Sequence, residues 1–379
     1  MRAPSRIDTS PIARWWWSID QVSLAIIVII ALIGIILLLA AGPSAAARLS
    51  ISNDFYFPTR QIIFIIPTLL LMIGVSFLSP LKARRLGILV LAGALLLMFA
   101  AMFFAPEIKG AKRWLTLGMF SLQPSEFLKP GFIIAAAWML AEGARNKTFP
   151  GAFIAMGLYF TCAFLLVLQP DFGQAALMTA IWMLMFFIAG WSWLWIAVLA
   201  GVGMSAIAAG YYFSPHLARR IDGFVNPQTS ETYQVDKAQQ ALQNGGLFGR
   251  GSADEVIKHQ LPDPHTDFIF AVAGEEFGFF FCLLILILFA VLVVRIFLKA
   301  AHLKNLFSQC AVCGLAAMIG LQSFINIGVN LRALPAKGMT LPFISYGGSS
   351  LLAMGLSFGL MFALMRTPRP AWRRKEIMP

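Results

Sequence analysis

Leu261-Pro-Asp-Pro-His-Thr-Asp-Phe-Ile-Phe-Ala-Val-Ala-Gly-Glu-Glu-Phe-Gly278 joins the one long polar loop of the chain to an apolar run that continues to about residue 297. Pro262 and Pro264 forbid a helix up to that point. Thr266 and Asp267 are then suitable N-cap residues for the run that follows. A transmembrane helix needs about 20 apolar residues, and this run exceeds that, so its first turns are expected to stand above the hydrocarbon. An acid, Asp267, is thus placed where a water-exposed loop meets a membrane helix, with His265 before it and Glu275 and Glu276 two turns inside. A helix N-terminus favours its charged form.

Outward from this junction the same apolar character recurs. The 379 residues are 59% hydrophobic and 12% charged, with a mean hydropathy of +0.79. A soluble chain would carry roughly twice that charge fraction. Apolar runs near 22–41, 61–78, 86–105, 127–142, 152–168, 174–190 and 193–213 precede the loop, and 268–297, 306–331 and 343–365 follow it. The predicted class is an all-α polytopic membrane protein of about ten transmembrane helices. Its long extracytoplasmic loop, 214–267, separates helices seven and eight. Residues 1–21 are predicted as a cytoplasmic tail, 22–366 as a single membrane domain and 367–379 as a second cytoplasmic tail. The first run is too long for a signal-peptide core and reads as an uncleaved span.

Ten spans put both termini on one side. With that side cytoplasmic, it holds 16 basic residues, from Arg2, Arg6 and Arg14 to Arg373, Arg374 and Lys375, against the acids Asp8, Asp20, Glu142 and Glu376. The asymmetry follows the positive-inside rule and accounts for the whole net charge of +12. No nucleic-acid partner is needed to explain it. The four cysteines all lie in apolar runs; Cys310-Ala-Val-Cys313 has metal or redox spacing but no second pair.

The outward side collects the polar chemistry in four segments. Lys112-Arg113-Trp114 suits a phosphate group, because arginine offers a fork of donors. Lipid-headgroup anchoring would explain it equally. Gln123-Pro-Ser-Glu126-Phe-Leu-Lys129 follows, with Glu126 and Lys129 spaced to pair at a span entrance. Gln169-Pro-Asp171 is a tight turn whose acid could hold Arg113 or Lys129 in place, or help bind a metal. In the long loop, a polar helical stretch after Tyr233-Gln234 leads to Asn244-Gly-Gly246-Leu-Phe-Gly249-Arg250-Gly251. These glycines could bring backbone amides to an anion or simply form a flexible turn. The last segment, Leu334 to Ser350, holds Lys337, Thr340, Ser345, Gly347 and Ser349 and reads as a cavity wall at the mouth of the final span.

As a set these segments resemble the SEDS family of shape, elongation, division and sporulation proteins, over nearly the whole chain. The markers are Gly110-Ala-Lys-Arg113-Trp114, Gln123-Pro-Ser-Glu126, Gln169-Pro-Asp171, Gly245-Gly246, His265-Thr266-Asp267-Phe268, Glu275-Glu276 and Ile344-Ser-Tyr-Gly-Gly-Ser-Ser350. Lys337-Gly-Met-Thr340-Leu-Pro342 places the resemblance in the division branch rather than the elongation branch.

The resemblance implies ten transmembrane helices and peptidoglycan glycosyltransferase activity on lipid II, with Asp267 as the essential acid. Arg113, Asp171 and Lys337 fall on further family positions. Substrate contacts are expected from Lys112, Arg113, Glu126, Lys129, Asp171, Gly246, His265, Thr266, Glu275, Lys337, Ser345, Gly347 and Ser349. No cofactor is assigned beyond a divalent cation, Mg or Mn, as an aid to the leaving pyrophosphate. The implied partner is a class B penicillin-binding protein of the FtsI type, among other divisome membrane proteins, in the bacterial inner membrane at the division site. His259, eight residues before Asp267, departs from relatives that carry an acid there. The rival readings are a lipid II flippase or other transporter, a scaffold for a transpeptidase, and the elongation polymerase.

Overall fold

The computed structural model describes residues 10–107, 111–118, 120–213, 218, 222, 233–251, 261–335 and 338–366. Lys337 and His259 therefore lie outside the described residues. The helices are α1 (Pro11–Trp16), α2 (Gln21–Arg48), α3 (Tyr56–Ser76), α4 (Pro80–Phe104), α5 (Pro124–Arg145), α6 (Gly151–Leu168), α7 (Phe172–Ile188) and α8 (Trp193–Phe213). After the loop come α9 (Tyr233–Gly245), α10 (Ile269–Ala301), α11 (Leu306–Asn330) and α12 (Gly348–Met365). Eight of them, α2 to α6 and α10 to α12, are long and apolar enough to cross a membrane. The apolar 17-residue α7 and the 21-residue α8 stand at the predicted sixth and seventh positions. The chain is a polytopic membrane protein.

Local sequence sets many of the helix starts. Ser79 accepts from the Lys82 amide and Pro80 opens α4. Asp171 caps α7 through the Gln174 amide at 3.4 Å, and Asn305 caps α11 through Phe307 at 3.0 Å. In packing, α5, α11 and α12 form the centre: 67%, 78% and 83% of their apolar windows are buried, against 28–33% for α3, α4, α6 and α10. The outer helices turn residues such as Leu89, Leu96 and Phe104 outward, as lipid-facing helices do. Small residues let the backbones approach. A Cβ at Gly355 would lie 2.6 Å from the Thr68 carbonyl oxygen, and one at Gly359 2.8 Å from that of Met72, so α12 lies tightly on α3.

Four details depart from the sequence reading. The N-terminal tail is not wholly free: α1 docks, with Trp15 Nε1 donating to Ser76 Oγ at 2.7 Å and its ring stacked on Phe77. The last helix starts at Gly348 rather than near 343, because Phe343 takes a left-handed φ of 61° and residues 342–347 turn instead. A small antiparallel hairpin, β1 (Leu115–Leu117) with β2 (Phe120–Leu122), fills the first outward segment and turns through Gly118 at φ 63°. Finally, α10 begins at Ile269 with Phe268 at its N-cap, so neither Thr266 nor Asp267 is the cap.

Alternation of the helices gathers the starts of α5, α7, α10 and α12 and the end of α11 at one end of the bundle. The opposite end holds Asp20, Lys82, Arg84, Arg85, Arg145, Arg295, Lys299 and Arg366. Cys310 and Cys313 are free and buried on α11.

Candidate active site

Asp267 sits half-buried at the mouth of α10. The capping acceptor it was expected to supply comes from the far end of α11. Asn330 Oδ1 accepts from the Ala271 amide at 3.1 Å. The same side chain donates through Nδ2 to the Asp267 carbonyl at 3.0 Å. Asn326, one turn earlier on α11, donates to that carbonyl at 3.0 Å and to the Met339 carbonyl at 2.6 Å. Asn330 occupies the acceptor position at the first turn, and the Asp267 carboxylate lies instead beside Gly338. A Cβ at Gly338 would be 3.2 Å from Asp267 Oδ2, so this close approach suits glycine.

The residues preceding Asp267 are fastened to the 338–350 segment. Ser345 Oγ donates to the Thr266 carbonyl at 2.6 Å and accepts from the Leu341 amide at 2.8 Å. The Tyr346 amide donates to the His265 carbonyl at 2.9 Å, and the His265 ring packs between Phe57 and Tyr346. Gln61, buried on α3, donates to the Ser345 carbonyl at 3.3 Å. Gly347 precedes α12 in extended backbone. Ser349 Oγ donates to the Ser121 carbonyl at 2.8 Å and accepts from the Gln123 amide, fastening the hairpin to the start of α12.

A second network runs beneath the first. Lys129 Nζ lies 2.9 Å from Glu126 Oε2 and 3.1 Å from Gln322 Oε1. Glu126 Oε1 accepts from Gln174 Nε2 at 3.0 Å. Gln322 Nε2 in turn donates to the Thr340 carbonyl at 3.0 Å, and Thr340 Oγ1 pairs with Ser350 Oγ at 2.8 Å. Lys129 is 1% exposed and its charge is matched by Glu126, so the structure gives it a bracing position within the bundle.

Arg113 differs. Its Nε donates to the Gln169 carbonyl at 2.7 Å and Nη2 to the Pro170 carbonyl at 2.5 Å. Asp171 stands 3.7 Å from Nη1, beyond hydrogen-bonding reach. Burial pushes the Asp171 carboxyl above its ordinary value, against the pull of Arg113. The guanidinium is thus held by two neutral carbonyls, with Asp171 as a longer-range ion-pair partner, and its planar fork suits an anion. Lys112 beside it is exposed.

The glycine loop does not form an anion cradle. The Arg250 and Gly251 amides donate to the Glu275 and Glu276 carbonyls at 2.9 and 3.2 Å. The Phe279 and Phe280 amides donate to the Gly246 and Leu247 carbonyls at 2.9 and 3.3 Å. Between them Gly278, at φ 83°, breaks the helical path of α10. The loop amides are spent on satisfying an interrupted helix, because backbone groups in a membrane protein must find partners inside it. Glu275 and Glu276 are buried at this clasp. Among the described residues no group of three or more His, Cys, Asp or Glu side chains could hold a metal ion.

The family model for cell cycle proteins of the FtsW, RodA and SpoVE type matches residues 20–369. The chain belongs to this family. A probable peptidoglycan glycosyltransferase FtsW of Caulobacter vibrioides is 42% identical over 362 residues, covering 96% of this chain and 93% of the relative. Stage V sporulation protein E of Bacillus subtilis is 32% identical, covering 92% and 98%. Among solved structures, a chain from a study of the coordination of polymerization and crosslinking by a peptidoglycan synthase complex matches with a TM-score of 0.76 at 27% identity, covering 92% of this chain and 98% of its own. The rod shape determining protein RodA of Thermus thermophilus matches at 0.69 and 28% identity, covering 92% and 97%.

In this member of the FtsW/RodA/SpoVE family, sequence reasoning missed the side chains that join the two networks. Gln322, Asn326 and Asn330 recur every fourth residue on one face of α11, buried in an apolar span. That spacing of amides was a legible signal, since polar groups within a membrane are costly unless bonded. Their partners, on α5, α10 and the 339–340 backbone, were not legible.

Proposed function

We propose that this chain is a peptidoglycan glycosyltransferase that polymerises lipid II, the undecaprenyl-linked precursor, into glycan strands during septal wall synthesis. One observation carries the reading. At one end of the bundle, a carboxylate, Asp267, has its backbone carbonyl pinned by Asn326 and Asn330, and the same end presents Arg113, held by two carbonyls and, among the described residues, facing a carboxylate only at the 3.7 Å of Asp171. A carboxylate and a fixed cation are what transfer from a pyrophosphate donor requires. The FtsW names of the relatives support the same reaction, and the 42% identity with one of them, together with Lys337-Gly338 and Thr340, supports the division role over the RodA type.

The acceptor sugar's 4-hydroxyl attacks C1 of the donor sugar. The C1–O bond to pyrophosphate breaks, its electron pair leaves with undecaprenyl pyrophosphate, and configuration at C1 inverts. The hydroxyl proton passes to the Asp267 carboxylate. Arg113 meets the charge that develops on the leaving group, with the exposed Lys112 beside it; Lys337, outside the described residues, is a further candidate cation by its sequence position. Because pyrophosphate leaves readily, one carboxylate suffices, unlike the paired acids of glycosidases. Glu126, Lys129 and Asp171 hold the frame, as do Ser345 and Ser349, while Gly246 and Glu275 close the α10 clasp. Thr266, His265 and Gly347 shape the wall around Asp267. A divalent cation, Mg or Mn, would arrive with the pyrophosphate, and no step depends on it.

In this reading both termini are cytoplasmic, 22–366 is the membrane domain, and the chain works at the division site. A class B penicillin-binding protein of the FtsI type is its partner, within the divisome.

The test is lipid II polymerisation in detergent by the chain with its cognate transpeptidase. Asp267→Asn is expected to lose activity by about 10²-fold or more while still forming the complex. Equal polymerisation by both proteins would remove Asp267 from the mechanism. No polymer from either, alongside lipid II translocation in vesicles, would replace the polymerase with a transporter.

A further inference from the structure

A cavity of about 840 Å³ opens at the other end of the bundle, between the start of α2 and the ends of α10 and α12. Its titratable lining is Asp20, Arg295, Lys299, His302 and Arg366. Asp20 accepts from Arg295 Nε and Nη2 at 2.9 and 2.8 Å and lies 2.9 Å from Lys299 Nζ. Burial alone would raise the Asp20 carboxyl, but these cations and Ser23 hold it well below the usual carboxylate range. One acid thus fixes two cations and cancels only one. Arg366 adds a third: its hydrogen bonds to the Phe77 and Leu78 carbonyls both use Nη2, and its buried Nε has no partner among the described residues. The lining therefore carries an excess of two positive charges and a buried unused N–H donor on Arg366.

The remaining walls are apolar. Val291, Val294 and Leu298 repeat at helical spacing on α10 and are 47%, 56% and 61% exposed, so this wall runs onto the outer surface of the bundle. A purely ionic ligand has no use for such a wall. We propose that this groove binds an anionic glycerophospholipid of the leaflet at the Asp20 end, its phosphodiester on Arg295, Lys299 and Arg366 and an acyl chain along Val291, Val294 and Leu298. Basic pockets between transmembrane helices take such headgroups, and a buried orphan guanidinium N–H gains a charge-assisted bond when phosphate arrives. The chain's own residues 367–379, which follow Arg366 in sequence, are the other occupant to test. Residues 367–379 carry Arg369, Arg373, Arg374 and Lys375 against Glu376 alone, the same sign as the groove.

The experiment is native mass spectrometry of the full chain in detergent with phosphatidylglycerol or phosphatidylcholine. The wild type is expected to retain phosphatidylglycerol about tenfold better than phosphatidylcholine. Lys299→Gln with Arg366→Gln should erase that preference. Lys299→Gln alone, at a side chain 41% exposed and tolerant of change, should reduce it about threefold. Asp20→Asn should raise it, an increase that general loss of structure would not produce. Inorganic phosphate or glycerol phosphate should fail to displace the lipid; displacement by either would replace the lipid with a soluble phosphate ligand. Equal retention of both lipids, or no change in any variant, would reduce the groove to ordinary lipid contact. A large gain of phosphatidylglycerol on deleting 367–379 would make that segment the occupant.

Discussion

Glu126 and Lys129 show how a single pair can be readable while its setting is not. Their spacing on α5 announces an ion pair, and the pair forms at 2.9 Å. Nothing local announces that Gln174 from α7 and Gln322 from α11 complete its hydrogen bonding. With side chains 5% and 1% exposed, each charge depends on the other. Removing one partner of such a buried pair costs about 3–5 kcal/mol, whereas replacing both can be close to neutral. Glu126→Gln alone should therefore lower the unfolding temperature in detergent more than Glu126→Gln combined with Lys129→Met. Equal losses would mean that the pair contributes little beyond its separate residues. Asp267 teaches the complementary lesson. Its position before a helix suggested a cap, yet Asn330 supplies the acceptor, 59 residues away from the Ala271 amide in sequence.

Helix α10 was legible as an apolar run longer than one span, but its interruption was not. Gly278 lies among residues that would all suit a helix, and only the docking of the glycine loop explains its φ of 83°. A Cβ at Gly278 would lie 2.3 Å from the Gly249 nitrogen, and one at Gly249 would lie 2.1 Å from the Glu276 carbonyl oxygen. Either substitution by alanine must push loop and helix apart, with backbone strain of about 1–3 kcal/mol in addition. Hydrogen exchange at the Phe279 and Phe280 amides should then speed up by at least about tenfold. Gly157→Ala, with open space around its position on α6, should leave those amides protected. Unchanged exchange in Gly278→Ala would show that the loop does not hold the break in α10. The salt bridge from Arg332 to Asp236 at 2.8 Å also fastens α9 to the end of α11, but both side chains are partly exposed and it adds at most about 1 kcal/mol.

For the whole molecule, the distribution of charge predicts orientation. All four native cysteines are buried, so introduced thiols can report the two faces against a silent background. Lys112→Cys should react with a membrane-impermeant maleimide in intact spheroplasts, whereas Lys82→Cys and Lys147→Cys should react only after permeabilisation. The reverse pattern would invert the topology. Sequence by itself determined the membrane class, the order of the apolar helices and which polar segments, those of Arg113, Glu126, Asp171, Asp267 and Ser345, fall at one end of the bundle. Those features follow from hydropathy and charge, which act along the chain and need no partner. Tertiary structure alone decided which groups satisfy one another: Asn326 and Asn330 at the Asp267 carbonyl, the glycine loop on the broken α10, and Asp20 between Arg295 and Lys299. The reason is physical. A buried polar group must be bonded, but many donors in a bundle could serve, and only packing brings one of them within 3 Å.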